Sequence, residues 1–474
     1  MKRLVFCFDG TWNRIVGGYP TNVPRIAHAV RAVSTDDRGH RVPQLVYYDQ
    51  GVGTDERGRW TGALVNKLSG AFGFGLNQNI VEAYTCLILN YEPGDEIYVF
   101  GFSRGAFTAR SFIGLIRNCA ILEKRQFFSI GDAIARYRDK SEKGHPNSDD
   151  SRHFRLQKAP RLLLSGDRDW RRKTKFEGPD NAVDLHVRYI GVWDTVGALG
   201  VPNIFGFSKL FNRKYAFHDT ELSSFVEFAR HAVAADERRK TFEPALWSNL
   251  RKLNEENGER YRQRIYPGTH SALGGGGPKT GISDAALEWI FRGAQEAGLD
   301  FDTAPGSPLY NLLPDHREQL FNAENKKRWQ LKDRLLGAGL ADRCFDDAGP
   351  DDLDDLIYRR WHHERVDELF DGEYRPPSLR PLWEHIAANP PTTDVDLSDE
   401  LFTGIRASDR DLRMPKKVER YTIQPADDWA KIARRFHGDE RYWKAIFLYN
   451  FSQCILYDPK ELHATREIMI PIYD

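Results

Sequence analysis

The stretch "IYVFGFSRGAFTAR", residues 97–110, leaves an apolar run, sets a lone serine between two glycines and at once enters a helical pattern. Ile97, Tyr98, Val99 and Phe100 read as a buried strand, and Ala106, Phe107, Ala109 and Ile113 suit the inner face of a following helix. Between them Gly101-Phe102-Ser103-Arg104-Gly105 is a G-x-S-x-G pentapeptide. Small residues two before and two after the serine permit a tight strand-to-helix corner that a Cβ would obstruct. Such a corner thrusts Oγ outward, beside a helix N-terminus whose N–H groups stabilise developing negative charge. Ser103 is therefore the candidate nucleophile.

Outward from this corner, "RLVFCF" (3–8), "QLVYY" (44–48), "VRYIGVW" (187–193) and "RQRIY" (262–266) read as further strands. Leu76, Ile80, Tyr84, Leu87 and Tyr91 recur at spacings of three and four, as in a helix packed on a sheet. The pattern is α/β: a doubly wound, mostly parallel sheet covered on both faces. Charge-rich stretches at 122–182 and 315–375 read as helical insertions with solvated faces, and "HAVAADERRKTFEP" (231–244) as helical, then extended. Pro and charge mark a linker over 396–417, dividing a catalytic domain, 1–395, from a small module, 418–474.

Lys plus Arg and Asp plus Glu both total 68, so nothing global recommends nucleic acid as a partner. Cys7, Cys86, Cys119, Cys344 and Cys454 are odd in number and form no C-x-x-C, which favours a reducing compartment and no structural zinc. No phosphate-loop or convincing dinucleotide motif occurs, so neither a cofactor nor a metal is expected. After Met1-Lys2-Arg3 the apolar run lasts only to Phe8, a strand rather than a signal sequence. No apolar run approaches the roughly 20 residues of a membrane span, so membrane contact is expected to be peripheral. The expected site of synthesis is the cytoplasm, with any export independent of a signal peptide.

A serine hydroxyl needs a base, and the base an acid to fix its tautomer. Asp194 ends an apolar strand at the carboxyl edge where open α/β sheets bind ligands, and His270 follows another strand just ahead of four glycines. In chain order Ser103, Asp194 and His270 make a triad, with His218, His231, Asp219, Asp236 and Asp284 as rivals. An N–H of Gly10 or Thr11, in the turn after the first strand, is expected to join that of Arg104 in an oxyanion hole. Asp9 either binds a cation or holds that loop. Phe205, Phe207 and Phe211, interleaved with Lys209, Arg213 and Lys214, suit an interfacial lid over a lipid surface, the alternative being a buried helix.

Six ordered blocks carry a resemblance: "FDGTWN" (8–13), "GFSRGAFTAR" (101–110), "GVWDTVGALG" (191–200), "ADERRKTFEP" (235–244), "PGTHSALGGG" (267–276) and "ISDAALEWI" (282–290). Together they resemble the α/β-hydrolase family of uncharacterised-domain proteins that includes the first class of type VI secretion lipase effectors. The resemblance implies a hydrolase fold with Ser103, Asp194 and His270 in the matching positions, and phospholipase activity, A-type, on a lipid or other ester. Ala272 departs from it, since family members often carry Asp there. Residues 419–472 resemble LysM modules, which implies a small βααβ fold and a protein or glycan partner. A second reading is a catalytically weak scaffold that carries this module to a partner.

Overall fold

The computed structural model describes residues 1–10, 19–51, 65–197, 221–320, 339–363, 373–391, 417–450 and 464–472, apart from 37, 278, 305–306, 310–311, 313, 317, 319, 439, 444–445 and 447–448. Over 65–77 only the backbone is described. Met1–Phe301 and Leu312–Ala388 form one compact unit; Asp302–Asn311 and Asn389–Asp474 form another.

Apolar runs without polar alternation are what strands buried on both faces require. In the larger unit β1 (Arg3–Phe8), β4 (Glu96–Phe102) and β7 (Val187–Trp193) are such runs; the other strands are β2 (Val33–Thr35), β3 (Arg41–Asp49), the short β5 (Leu162–Leu163) and β6 (Val183–Asp184), β8 (Val226–Ala234) and β9 (Tyr261–Tyr266). Seven strands form one sheet in the order β2-β3-β1-β4-β7-β8-β9. Only β2 runs antiparallel to its neighbour; the other five pairs are parallel. β5 and β6 form a separate parallel pair.

Alternate residues of a strand serve opposite faces. Phe6 and Phe8 meet Phe112 of the helix after β4, with ring centroids 4.8 and 5.6 Å apart. On the other face Tyr98 donates its hydroxyl to the Ala297 carbonyl and Tyr189 to that of Ile290, tying β4 and β7 to the helix Gly281–Glu296 and the turn after it. The observed sheet is thus mixed and α/β in character. Residues 231–234, expected to be helical, instead lie in the sheet, because Ala229 and Ala232 pack fully buried between β7 and β9, where sheet context overrides alanine's helix preference.

Three helices bear on the site: α1 (Asn22–Ala29), α2 (Val65–Asn90) and α3 (Arg104–Cys119). The first residue after β4 is Ser103, and α3 begins at the next. Two glycines permit this corner. A Cβ on Gly101 would stand 2.7 Å from the Ala106 Cα, and one on Gly105 only 2.2 Å from the Phe8 carbonyl oxygen, so α3 presses directly on the end of β1. Among the described residues no helix is long and apolar enough to cross a membrane.

In the smaller unit β10 (Lys417–Thr422) pairs antiparallel with β11 (Glu467–Ile472). The helix Trp429–His437 lies between them in sequence, capped by the Asp428 carboxylate on the Lys431 N–H at 2.8 Å and stopped at left-handed Gly438. Ile423, Ile432, Ile446, Ile468 and Ile470 form its core. Buried Asn450 donates to the Ile446 and Met469 carbonyls and accepts the Met469 N–H, so no amide atom is wasted in so small an interior.

Gly105→Ala is expected to destabilise the protein by about 3 kcal/mol or more, because backbone on both sides blocks relaxation. Chemical denaturation of the variant beside the wild type measures this.

Candidate active site

The corner that the pentapeptide allows is strained: Ser103 has φ 60° and ψ −124°, outside the usual regions for a residue with a Cβ. Its N–H donates to the Trp193 carbonyl at 3.0 Å, which ties it to the end of β7. Asp194 follows there, also with positive φ, at 37°, and its N–H donates to the Ala232 carbonyl of β8 at 2.7 Å. His270 opens the short helix His270–Gly274 after β9. β4, β7 and β9 run parallel in one sheet, with β8 between the last two, and their carboxyl ends bring Ser103, Asp194 and His270 together from 167 residues of chain.

His270 Nδ1 lies 2.6 Å from Asp194 Oδ2, and Nε2 lies 2.7 Å from Ser103 Oγ. A carboxylate only accepts, so Nδ1 carries the proton and Nε2 is left to accept the serine hydroxyl. The imidazole is sandwiched between Phe102, stacked at 4.7 Å, and Phe242, edge-on at 4.8 Å. Burial pushes the His270 imidazole below the ordinary histidine value, against the opposing pull of Asp194 and Glu237.

Asp194 is wholly buried. Its Oδ1 accepts the Ala234 N–H at 3.0 Å, and the Arg343 guanidinium grips both oxygens at 2.7 and 2.9 Å. Burial alone would raise this carboxyl, but the Arg343 charge and the hydrogen bonds from His270 and Arg343 outweigh it and hold Asp194 well below the usual carboxylate range. Arg343 also donates to the Ala234 and Phe242 carbonyls, both at 2.6 Å. It was not among the sequence candidates. It sits in the charge-rich 315–375 stretch, read there as solvated, and only the apolar Phe345 two positions on hints at burial.

The rivals do other work. His231 accepts the Thr195 N–H on Nε2 at 3.2 Å and turns Nδ1 to Gln263 at 3.0 Å. Burial, and next the Arg110 charge, push it down to about 3. Asp236 accepts the Gly268 N–H and the Tyr374 hydroxyl, and Glu237 faces the His270 N–H at 3.3 Å while Arg239 holds both its oxygens. The 235–244 block therefore braces the histidine loop. Asp284 pairs with Arg25 at 2.7 Å. His218 and Asp219 lie outside the described residues, as do Phe205, Phe207 and Phe211.

The oxyanion assignment changes in one respect. The Gly10 N–H donates to Asp9 Oδ1 at 2.7 Å rather than opening toward Ser103, and Thr11 lies outside the described residues. Asp9 also accepts the Thr21 hydroxyl at 2.7 Å and that of Tyr48 at 2.9 Å, so it holds the loop after β1. Arg104 is the first residue of α3, directly behind Ser103. Burial lowers its guanidinium to about 10.

A family model described as "T6SS, Phospholipase effector Tle1-like, catalytic domain" matches residues 2–293, and the chain belongs to that family. The chain is also similar to "Uncharacterized protein YEL023C" of Saccharomyces cerevisiae, 31% identical over 252 residues, which take in 52% of this chain and 33% of the yeast protein. It thus spans about a third of the length of this curated relative. Two solved structures, each 18% identical with a TM-score of 0.32, are similar to it. One is "Structure of the Tle1 effector bound to the VgrG spike from the Type 6 secretion system", covering 58% of this chain and 51% of that one. The other is "Crystal structure of an uncharacterized protein from Pseudomonas aeruginosa", covering 85% and 62%.

His231 titrates near 6.5 when unfolded and about 3 when folded, so the unfolded chain binds the extra proton. Its contribution to stability is present above the upper value and is lost as pH falls through this window. The gap in thermal midpoint between wild type and His231→Gln is expected to narrow on acidification. A gap that stays constant would show that His231 is not held neutral by its surroundings.

Proposed function

We propose that the chain is a serine hydrolase of lipid esters, most specifically a phospholipase of A type acting through Ser103, His270 and Asp194. The observation that carries this reading is the continuous relay from Asp194 Oδ2 through His270 to Ser103 Oγ, at 2.6 and 2.7 Å. His270 takes the hydroxyl proton as Oγ attacks the acyl carbon, and Asp194 stabilises the imidazolium. His270 then returns the proton to the leaving alcohol, and water repeats the cycle on the acyl-enzyme. The Arg104 N–H at the start of α3 supplies one oxyanion donor, aided by the helix dipole. Membership of the family of phospholipase effector domains supports the lipid ester as substrate and the type VI machinery as the export route. The antiparallel pair β10–β11 with the helix Trp429–His437 between its strands in sequence supports a LysM-like βααβ docking piece for a protein or glycan partner.

A scaffold with a decayed site would not need the three groups in register, which favours catalysis over the alternative. A panel of phospholipid vesicles, neutral lipids and soluble esters tests the substrate class. Ser103→Ala is expected to lower turnover by several orders of magnitude and Asp194→Asn by about a thousandfold or more, with unchanged circular dichroism. Full activity in Ser103→Ala would refute the mechanism.

A further inference from the structure

A carboxylate offers about four acceptor sites. On Asp194 all four are taken: Arg343 and the Ala234 N–H on Oδ1, Arg343 and His270 on Oδ2. Turning Asp194 away from His270 would break three other bonds, so the side chain has one orientation. The guanidinium that enforces this comes from 149 residues downstream and 50 beyond the end of the family match.

The same contact changes the electrostatics of proton transfer. An imidazolium beside a lone buried carboxylate is strongly favoured. Here each carboxylate facing His270 is already matched: Asp194 by Arg343, and Glu237 by Arg239, whose guanidinium also lies over the Phe242 ring that meets the imidazole. The other titratable group against the Asp194 loop, His231, is held neutral by burial and the Arg110 charge, and accepts the Thr195 N–H on Nε2. No uncompensated negative charge faces His270 among these groups.

We propose that Arg343 is a positioning residue of this site: by gripping both oxygens of Asp194 it fixes the carboxylate on His270 and divides its charge, making His270 a weaker base than an aspartate–histidine pair alone. The proposal rests on reading Ser103, His270 and Asp194 as one catalytic unit. Its functional consequence is that His270 stays neutral, and competent to accept the serine proton, further into the acid range. The guanidinium touches no reacting atom and acts only through Asp194.

The test is the rate at which a fluorophosphonate labels Ser103 in the full chain across the acid range, since labelling requires neutral His270 and no knowledge of the natural substrate. In Arg343→Gln the acidic limb is expected to move up by on the order of one pH unit, because Asp194 regains its undivided charge. Arg343→Lys keeps the charge but not the planar fork, so its limb should stay with the wild type while labelling slows. An unmoved limb in Arg343→Gln, or a Lys variant shifted as far as the Gln variant, overturns the proposal. If Arg343→Gln does not fold, Arg343→Lys and direct titration of the wild-type His270 imidazole decide: a Lys limb displaced upward, or a wild-type midpoint above 6.5, overturns it. Wild-type protein left unlabelled at every pH would instead refute the serine-hydrolase reading itself.

Discussion

The conformation of one residue, Ser103, constrains the rest of the larger unit. Its backbone sits where a side chain is unwelcome, and the neighbouring contacts leave it no alternative: β4 is locked between β1 and β7, α3 bears on the Phe8 carbonyl through Gly105, and the serine N–H is tied to Trp193. Strain of this kind persists only where surrounding structure over-determines it. The helix axis, the exit of Oγ and the start of a helix dipole at the same spot all follow from it.

Much of this was legible because the relevant signals are local. The strands at 3–8 and 187–193 have the bounds their apolar runs predict, and the run at 97–100 lies within the strand at 96–102. Asp194 and His270 could be singled out because each follows directly on an apolar run, and in a parallel sheet strand ends gather at one edge. Where the reading failed, a local rule met a non-local one. The alanines of 231–235 favour a helix in isolation, but the segment up to Ala234 pairs with β7 on one side and β9 on the other, and burial decided the matter. Gly10 fits the sequence form of an oxyanion turn, yet a carboxylate one residue back claims its N–H.

Arg343 was not legible, for a physical reason. A buried arginine is tolerable only when a carboxylate and carbonyls meet its donors, and those partners, Asp194, Ala234 and Phe242, come from segments a hundred or more residues away. Nothing in the sequence near 343 encodes their arrival. The site is accordingly built from two kinds of information: strand ends, which a sequence announces, and charge compensation, which only the folded chain provides. Asp236 and Glu237 belong to the second kind, since their charges serve the histidine loop rather than the solvent.

The distance between Asp194 and Arg343 along the chain bears on the timing of assembly. A chain leaving the ribosome presents residue 194 long before residue 343, and contacts between distant segments form late because closing the intervening loop costs entropy. Until the downstream segment arrives, the wholly buried carboxylate of Asp194 has no guanidinium to offset its desolvation, so the loop after β7 has little reason to close. Nascent fragments ending near the boundary of the family match would carry Ser103, Asp194 and His270 yet leave them unorganised. Order of synthesis thereby becomes a delay on assembly: the last-made part of the larger unit completes a cluster whose other side chains were made first.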